Sequence, residues 1–180
     1  SEGKVVVAPR SATLDRYKKR QAAWIKEQAK LAGLKGLASI TRDGHPIALH
    51  ANLELPRDLA GALEAGALGI GLLRTEFQFM NRDDLPDEDE QYETLKSIVE
   101  GMAGRPVTIR TLDVGGEKLA RALGPEVGEP ANPALGLRGI RLGLAQPKLL
   151  ETQIAAILRA AAHGPVRILL PMVATVGEVR

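Results

Sequence analysis

The sequence predicts an α/β fold in which parallel strands alternate with helices. Two runs, Gly71-Leu72-Leu73-Arg74-Thr75-Glu76-Phe77 and Thr108-Ile109-Arg110-Thr111-Leu112-Asp113, are apolar over strand length and then turn to Arg-Thr and an acid. That pattern is expected where a buried parallel strand emerges at its carboxyl end. Between them Tyr92, Leu95, Val99 and Met102 recur at helical spacing. A crossover of that length makes the two strands parallel, so Arg74 and Arg110 leave the sheet on one edge. Parallel α/β folds bind ligands outside that edge, and two guanidinium forks there suit a small ligand bearing carboxylate or phosphate.

The other elements follow in order. Lys4 to Pro9 reads as a lone strand without a hairpin partner, the last strand of something else. Residues 12–36 read as a linker helix: Leu14, Tyr17, Gln21, Trp24, Gln28 and Leu31 alternate at three and four, a seam too narrow for a core helix, and Gly33 and Gly36 end it. Asp43-Gly44 between two strand-like runs predicts a hairpin turn. From there units repeat: strand 47–53, helix 56–65, strand 69–74, helix 88–102, strand 106–113. Asp87 and Glu90 form an acidic variant of the capping box at the second of these helices.

A long irregular loop, Glu117 to Asn132, comes next, and its length suggests function or mobility. Helical character resumes at Pro133 and Pro147, Val166 to Met172 is a fourth strand, and Thr175 to Arg180 opens a helix. Four strand and helix units are half of an eight-stranded barrel, which needs about 250 residues. The expected architecture is the amino-terminal half of a (β/α)8 TIM-type barrel, residues 37–180, preceded by the linker helix.

Composition narrows the function. Among 180 residues, 24 basic side chains nearly balance 22 acidic ones, and there are one Trp, two Tyr and two Phe. Neither net charge nor stacking platforms point to nucleic acid. The absence of cysteine excludes a thiolate nucleophile, a disulfide framework and a cysteine metal site. No apolar run is long enough to span a bilayer, and Ser1-Glu2-Gly3-Lys4 lacks a secretory pattern, so a cytoplasmic location without membrane insertion is expected.

Several runs resemble one family. Gly71 to Met80 with Asn81-Arg82-Asp83-Asp84-Leu85-Pro86, Arg110 to Lys118, Asn132-Pro133-Ala134-Leu135-Gly136-Leu137-Arg138-Gly139-Ile140-Arg141 and Leu170-Pro171-Met172 closely resemble enzyme I of the phosphoenolpyruvate:sugar phosphotransferase system, in motif order and spacing, over essentially the whole chain. Some of the wording is also similar to multidomain phosphoryl-transfer fusions. The resemblance implies a TIM-type barrel that binds phosphoenolpyruvate and Mg2+ and passes the phosphoryl group to a histidine on a separate domain, then to the carrier protein HPr. It implies substrate-binding roles for Arg74, Arg110 and, at the arginine of the Asn-Pro-x-Leu-Gly-x-Arg motif, Arg138. Glu117 stands where the family more often has Asp, which leaves a carboxylate in place.

The family's phosphohistidine motif, its metal-binding acids and its acid cysteine do not occur in the sequence. On that reading residues 1–11 are the last strand of a missing phosphohistidine domain, the Mg2+ ligands are absent, the chain holds no catalytic residue, and alone it is inactive. The rivals are a pyruvate phosphate dikinase or phosphoenolpyruvate synthase barrel, and a non-catalytic half-barrel module whose open edges self-associate; a homo-oligomer is expected. Glu76 and Asp113 could act as bases or metal ligands, but orienting the arginines is the simpler role. Gly115-Gly116 reads as a phosphate nest or a plain turn, the acidic run Asp83 to Glu90 as a solvated helix cap, and His45, His50 and His163 as structural or solvated.

Overall fold

Four short apolar runs pair side by side in a computed structural model that describes residues 3, 5–114, 132 and 134–180. The strands are β1 (Ala51–Leu53), β2 (Ile70–Leu73), β3 (Val107–Arg110) and β4 (Val166–Leu169), all parallel, in spatial order β1-β2-β3-β4. Between them run α2 (Leu59–Glu64), α3 (Glu88–Gly101), and the pair α4 (Gly139–Ala145) and α5 (Pro147–Ala160). Strand–helix–strand repeats thus appear as the periodicity predicts, although each strand is shorter than its apolar run. Strand 47–53 contracts to Ala51–Leu53, and strand 106–113 to Val107–Arg110.

One face of the sheet carries the core. Ile70, Leu73, Val107 and Ile109 are buried against Leu95, Ile98, Val99 and Met102 on and after α3 and against Ala156, Ile157 and Ala160 on α5. Full burial of each large side chain is worth about 1.5–3 kcal/mol, so this layer fixes the strands. The alternating residues Asn52, Leu72, Thr108 and Arg167 are exposed or half-buried. On this face Asn52 pairs in register with Leu72 and Thr108 with Arg167, forming rows across the sheet.

The linker helix forms as α1 (Ser11–Ala32) and buries none of its residues; Trp24 is 64% exposed. The hairpin at Asp43-Gly44 reduces to one antiparallel bridge, Ile40 with Pro46. Three expectations are corrected. Val5 to Pro9 is not a strand: it has no partner edge to complete its backbone hydrogen bonds, and Val5 and Val7 stand exposed. The helix expected from Thr175 is a single 3-10 turn, Val176–Glu178, closed by Thr175 and Glu178. Only half of the Asp87/Glu90 box forms: Asp87 accepts from the Glu90 N–H at 2.8 Å, while the Glu90 carboxylate is taken by Arg82 at 2.9 and 3.1 Å. A guanidinium offers two charge-assisted bonds where the cap offers one.

Arg82 also forks onto Asp84 at 2.8 and 3.1 Å, and its pKa is raised further by Asp84 and then Glu90, so it is permanently charged. The acidic run is therefore partly a salt-bridged cap rather than a purely solvated one. The helix predicted to resume at Pro133 and Pro147 is observed from Gly139 and Pro147, Pro133 itself lying outside the described residues. Most of the loop from Glu117 to Asn132, with Gly115 and Gly116, lies outside them too. No helix among the described residues is long and apolar enough to cross a membrane.

Candidate functional site

The carboxyl edge of the sheet collects the charged side chains. Register pairs Leu53 with Leu73 and Leu73 with Ile109, so the next residues, Glu54, Arg74 and Arg110, stand side by side. Parallel pairing continues one residue beyond the strands: the Arg74 N–H donates to the Leu53 carbonyl at 2.9 Å and the Thr111 N–H to that of Leu169 at 3.0 Å. After Arg74 the chain enters a 3-10 turn, Glu76–Phe79, which turns Glu76 back over β3.

Arg110 lies between two carboxylates. Its Nη2 meets Glu76 Oε1 at 2.6 Å and its Nη1 meets Asp113 Oδ2 at 3.4 Å. Glu76 Oε1 also accepts the Asp113 backbone N–H at 3.2 Å. Arg138, the extended N-cap of α4, donates its Nε to Asp113 Oδ1 at 3.0 Å and its Nη2 to the Asp113 carbonyl at 3.4 Å. One aspartate therefore joins two of the three arginines singled out from sequence. Glu76 and Asp113 hold arginines, the simpler of the two roles weighed for them.

Arg74 is placed differently. It pairs with Glu54, is 46% exposed, and lines a recess of about 170 Å³ together with Glu54, Glu76, Phe77 and Met80. The recess is shared with Glu76, which holds Arg110, so Arg74 neighbours the cluster while its own ion pair is with Glu54. Glu54 was not anticipated. Its only signal is that it follows Leu53 at the same strand-end position as Arg74 and Arg110.

A second unanticipated layer lies beneath. Thr75 and Gln153 are 1% and 2% exposed. Thr75 Oγ1 donates to the Arg110 carbonyl at 2.9 Å, Gln153 Nε2 donates to Thr75 Oγ1 at 3.2 Å, and the Leu112 N–H donates to Gln153 Oε1 at 2.7 Å. A buried polar cluster so fully paired is rigid, because each lost bond leaves an unsolvated group.

The described residues do not fit Mg2+. No three carboxylates or histidines converge among them as a metal cluster, and Glu54, Glu76 and Asp113 are each committed to arginine, which repels a cation. The histidines sit elsewhere: His163 joins Tyr92 Oη at 3.0 Å and Glu100 at 2.8 Å, where it fastens the end of α5 to α3.

Comparison with known proteins gives this arrangement a family. Residues 28–180 match the model of the PEP-utilising enzyme, PEP-binding domain. The chain belongs to that family. It is 47% identical over 178 residues to the phosphoenolpyruvate-protein phosphotransferase of Cupriavidus necator, covering 98% of this chain and 30% of that protein. It is 43% and 40% identical to the proteins of the same name from Staphylococcus carnosus and Bacillus subtilis, each comparison covering 99% of this chain and 31% of the relative. The chain is thus homologous to enzyme I and spans about 30% of the length of these curated relatives.

Proposed function

We propose that Arg74, Arg110 and Arg138 bind phosphoenolpyruvate, and that the chain is the phosphoenolpyruvate-binding part of a cytoplasmic phosphotransferase that passes the phosphoryl group to a histidine and then to HPr. The observation that carries this reading is that Arg110 and Arg138 share Asp113, with Arg110 also on Glu76, while Arg74 lies at the neighbouring strand end in a recess that Glu76 also lines. In this reading the sheet is the first half of a barrel, and the pairs Asn52–Leu72 and Thr108–Arg167 face its interior.

The geometry divides the labour. Arg110 and Arg138 are held by buried or half-buried carboxylates, so their forks are oriented before a ligand arrives and no ordering cost falls on binding. The pair of Arg74 with Glu54 is half in solvent, and such a pair is worth about 0–1 kcal/mol. Exchange of Glu54 for a phosphate or carboxylate oxygen is therefore cheap. Fixed positive charge around the phosphoryl group stabilises the charge that develops during transfer. In this reading Mg2+ belongs to the complete enzyme, and its ligands are not among the residues of this chain.

Calorimetric titration with phosphoenolpyruvate tests the reading, with pyruvate and inorganic phosphate as partial ligands. Binding that weakens in Arg110→Lys supports it, and no binding at millimolar phosphoenolpyruvate overturns it. Incubation with labelled phosphoenolpyruvate, Mg2+ and HPr is expected to leave HPr unlabelled, because the sequence lacks a phosphohistidine motif.

A further inference from the structure

The arginines are held from in front by carboxylates, and the backbone of Arg110 is held from behind by Thr75, which Gln153 holds in turn. We infer that Gln153, through Thr75, is a positioning residue for the phosphoenolpyruvate site: it locks the ends of β2 and β3 together so that the guanidinium groups face one ligand. This rests on the functional reading above and names a part of the site that neither charge nor motif discloses.

The two residues that Gln153 contacts are sequence neighbours of site residues. Thr75 lies between Arg74 and Glu76, and Leu112 adjoins Asp113. Gln153 grips both, donating to Thr75 Oγ1 and accepting from the Leu112 N–H, and Thr75 in turn donates to the Arg110 carbonyl. Of the six charged groups at this edge, Arg74, Glu76, Arg110 and Asp113 are thereby referred to one amide on α5. The exceptions are Glu54, which meets only Arg74 among the described residues, and Arg138, which reaches the network through Asp113.

The amide suits this task for a chemical reason. Its NH2 donates to one loop while its carbonyl oxygen accepts from the other, and neither leucine nor glutamate can do both. A glutamate at 153 would accept from Leu112 but would also draw the Thr75 hydroxyl proton away from the Arg110 carbonyl. Helix α5 is anchored in the main core through Ala156 and Ile157. Gln153 is therefore a rigid strut from the core to the ligand edge, the kind of support that holds a binding constellation within tolerance.

The test uses the chain with Thr75→Val, Thr75→Ser, Gln153→Met and Gln153→Glu, and with Val99→Ala as a core control of matched instability away from the site. Phosphoenolpyruvate affinity is measured by titration well below each melting temperature, and the Arg110 and Arg138 Nε–H resonances are followed by NMR without ligand. Thr75→Val, Gln153→Met and Gln153→Glu are expected to weaken binding by roughly tenfold or more, as small misplacements of binding groups do. Thr75→Ser, which keeps the hydroxyl, and Val99→Ala are expected to bind like wild type. Lowered melting temperatures with unchanged affinity and unchanged resonances would show the network to be only structural and overturn the proposal. If wild type itself does not bind phosphoenolpyruvate, the functional reading fails and the resonances decide: displaced Arg110 Nε–H in Thr75→Val but not in Thr75→Ser upholds the strut, and no displacement overturns it.

Discussion

The difference between Arg74 and Arg110 lies in their partners, and it dictates different responses to the same substitution. Arg110 holds Glu76 and Asp113 at once through separate nitrogens. Lysine restores one positive charge but cannot span two carboxylates, so Arg110→Lys leaves Glu76 or Asp113 one charge-assisted bond short, even though Asp113 keeps Arg138. Its expected phenotype is a lowered melting temperature and phosphoenolpyruvate affinity reduced roughly ten- to a hundredfold. Arg74→Lys loses only a half-exposed pair, so it is expected to keep the wild-type melting temperature and to lose affinity alone. Thermal melts and titrations of both variants check this, and equal losses of stability would contradict the division of roles. Both arginines were legible in sequence because strand ends in parallel sheets follow from apolar runs. Gln153 was not, because its meaning depends on Thr75, 78 residues away in the chain. A glutamine between apolar helix positions carries no signal until that partner is placed.

At the scale of elements, the entry to α4 controls where Arg138 stands. Gly139 has φ +55°, and a Cβ added there would lie 2.8 Å from the Pro171 carbonyl oxygen. The Ile140 N–H donates to that same carbonyl at 3.0 Å, so backbone cannot retreat without breaking the contact between α4 and the end of β4. Gly139→Ala is therefore expected to destabilise the chain by about 1–3 kcal/mol and to loosen Arg138 from Asp113. Gly61, in α2, has nothing within 4 Å of its added Cβ. Gly61→Ala is expected to stabilise by about 0.5–1 kcal/mol through helix propensity alone. Denaturant titrations of the two variants should move in opposite directions. Helices α3 and α5 were readable from their apolar spacing, and Leu95, Val99 and Ile157 are indeed buried. The strand ends were less so: hydrophobicity persists through Leu112 and Val114, but these turn into a second apolar cluster with Phe79, Leu142 and Leu149 rather than extending β3. Hydrophobic runs record burial, and burial continues after pairing stops.

Among the described residues of the whole molecule, the sheet ends in two unpaired edges, β1 and β4, and α1 stands free of the core. Edge strands present open backbone donors and acceptors, and natural proteins blunt them with charge or cover. β4 carries one charge, Arg167, but Ile168 and Leu169 are 39% and 37% exposed, and Met172 and Val173 beyond them are also exposed. α1 offers a competing surface, with Leu14, Tyr17, Trp24 and Leu31 exposed along one seam. Its charge argues against self-pairing, because Arg16, Lys18, Lys19, Arg20, Lys26 and Lys30 outnumber Asp15 and Glu27, and two copies brought together would repel at low salt. Self-association of the chain is therefore expected to run through β4. Light scattering at increasing concentration should show a mass above the monomer for wild type. Ile168→Lys, which puts a second charge beside Arg167 on the edge, should return the monomer, while Trp24→Glu on α1 should not. The opposite result would assign association to the linker helix, and a single sharp monomer for all three would mean that the β4 edge is already protected within the chain.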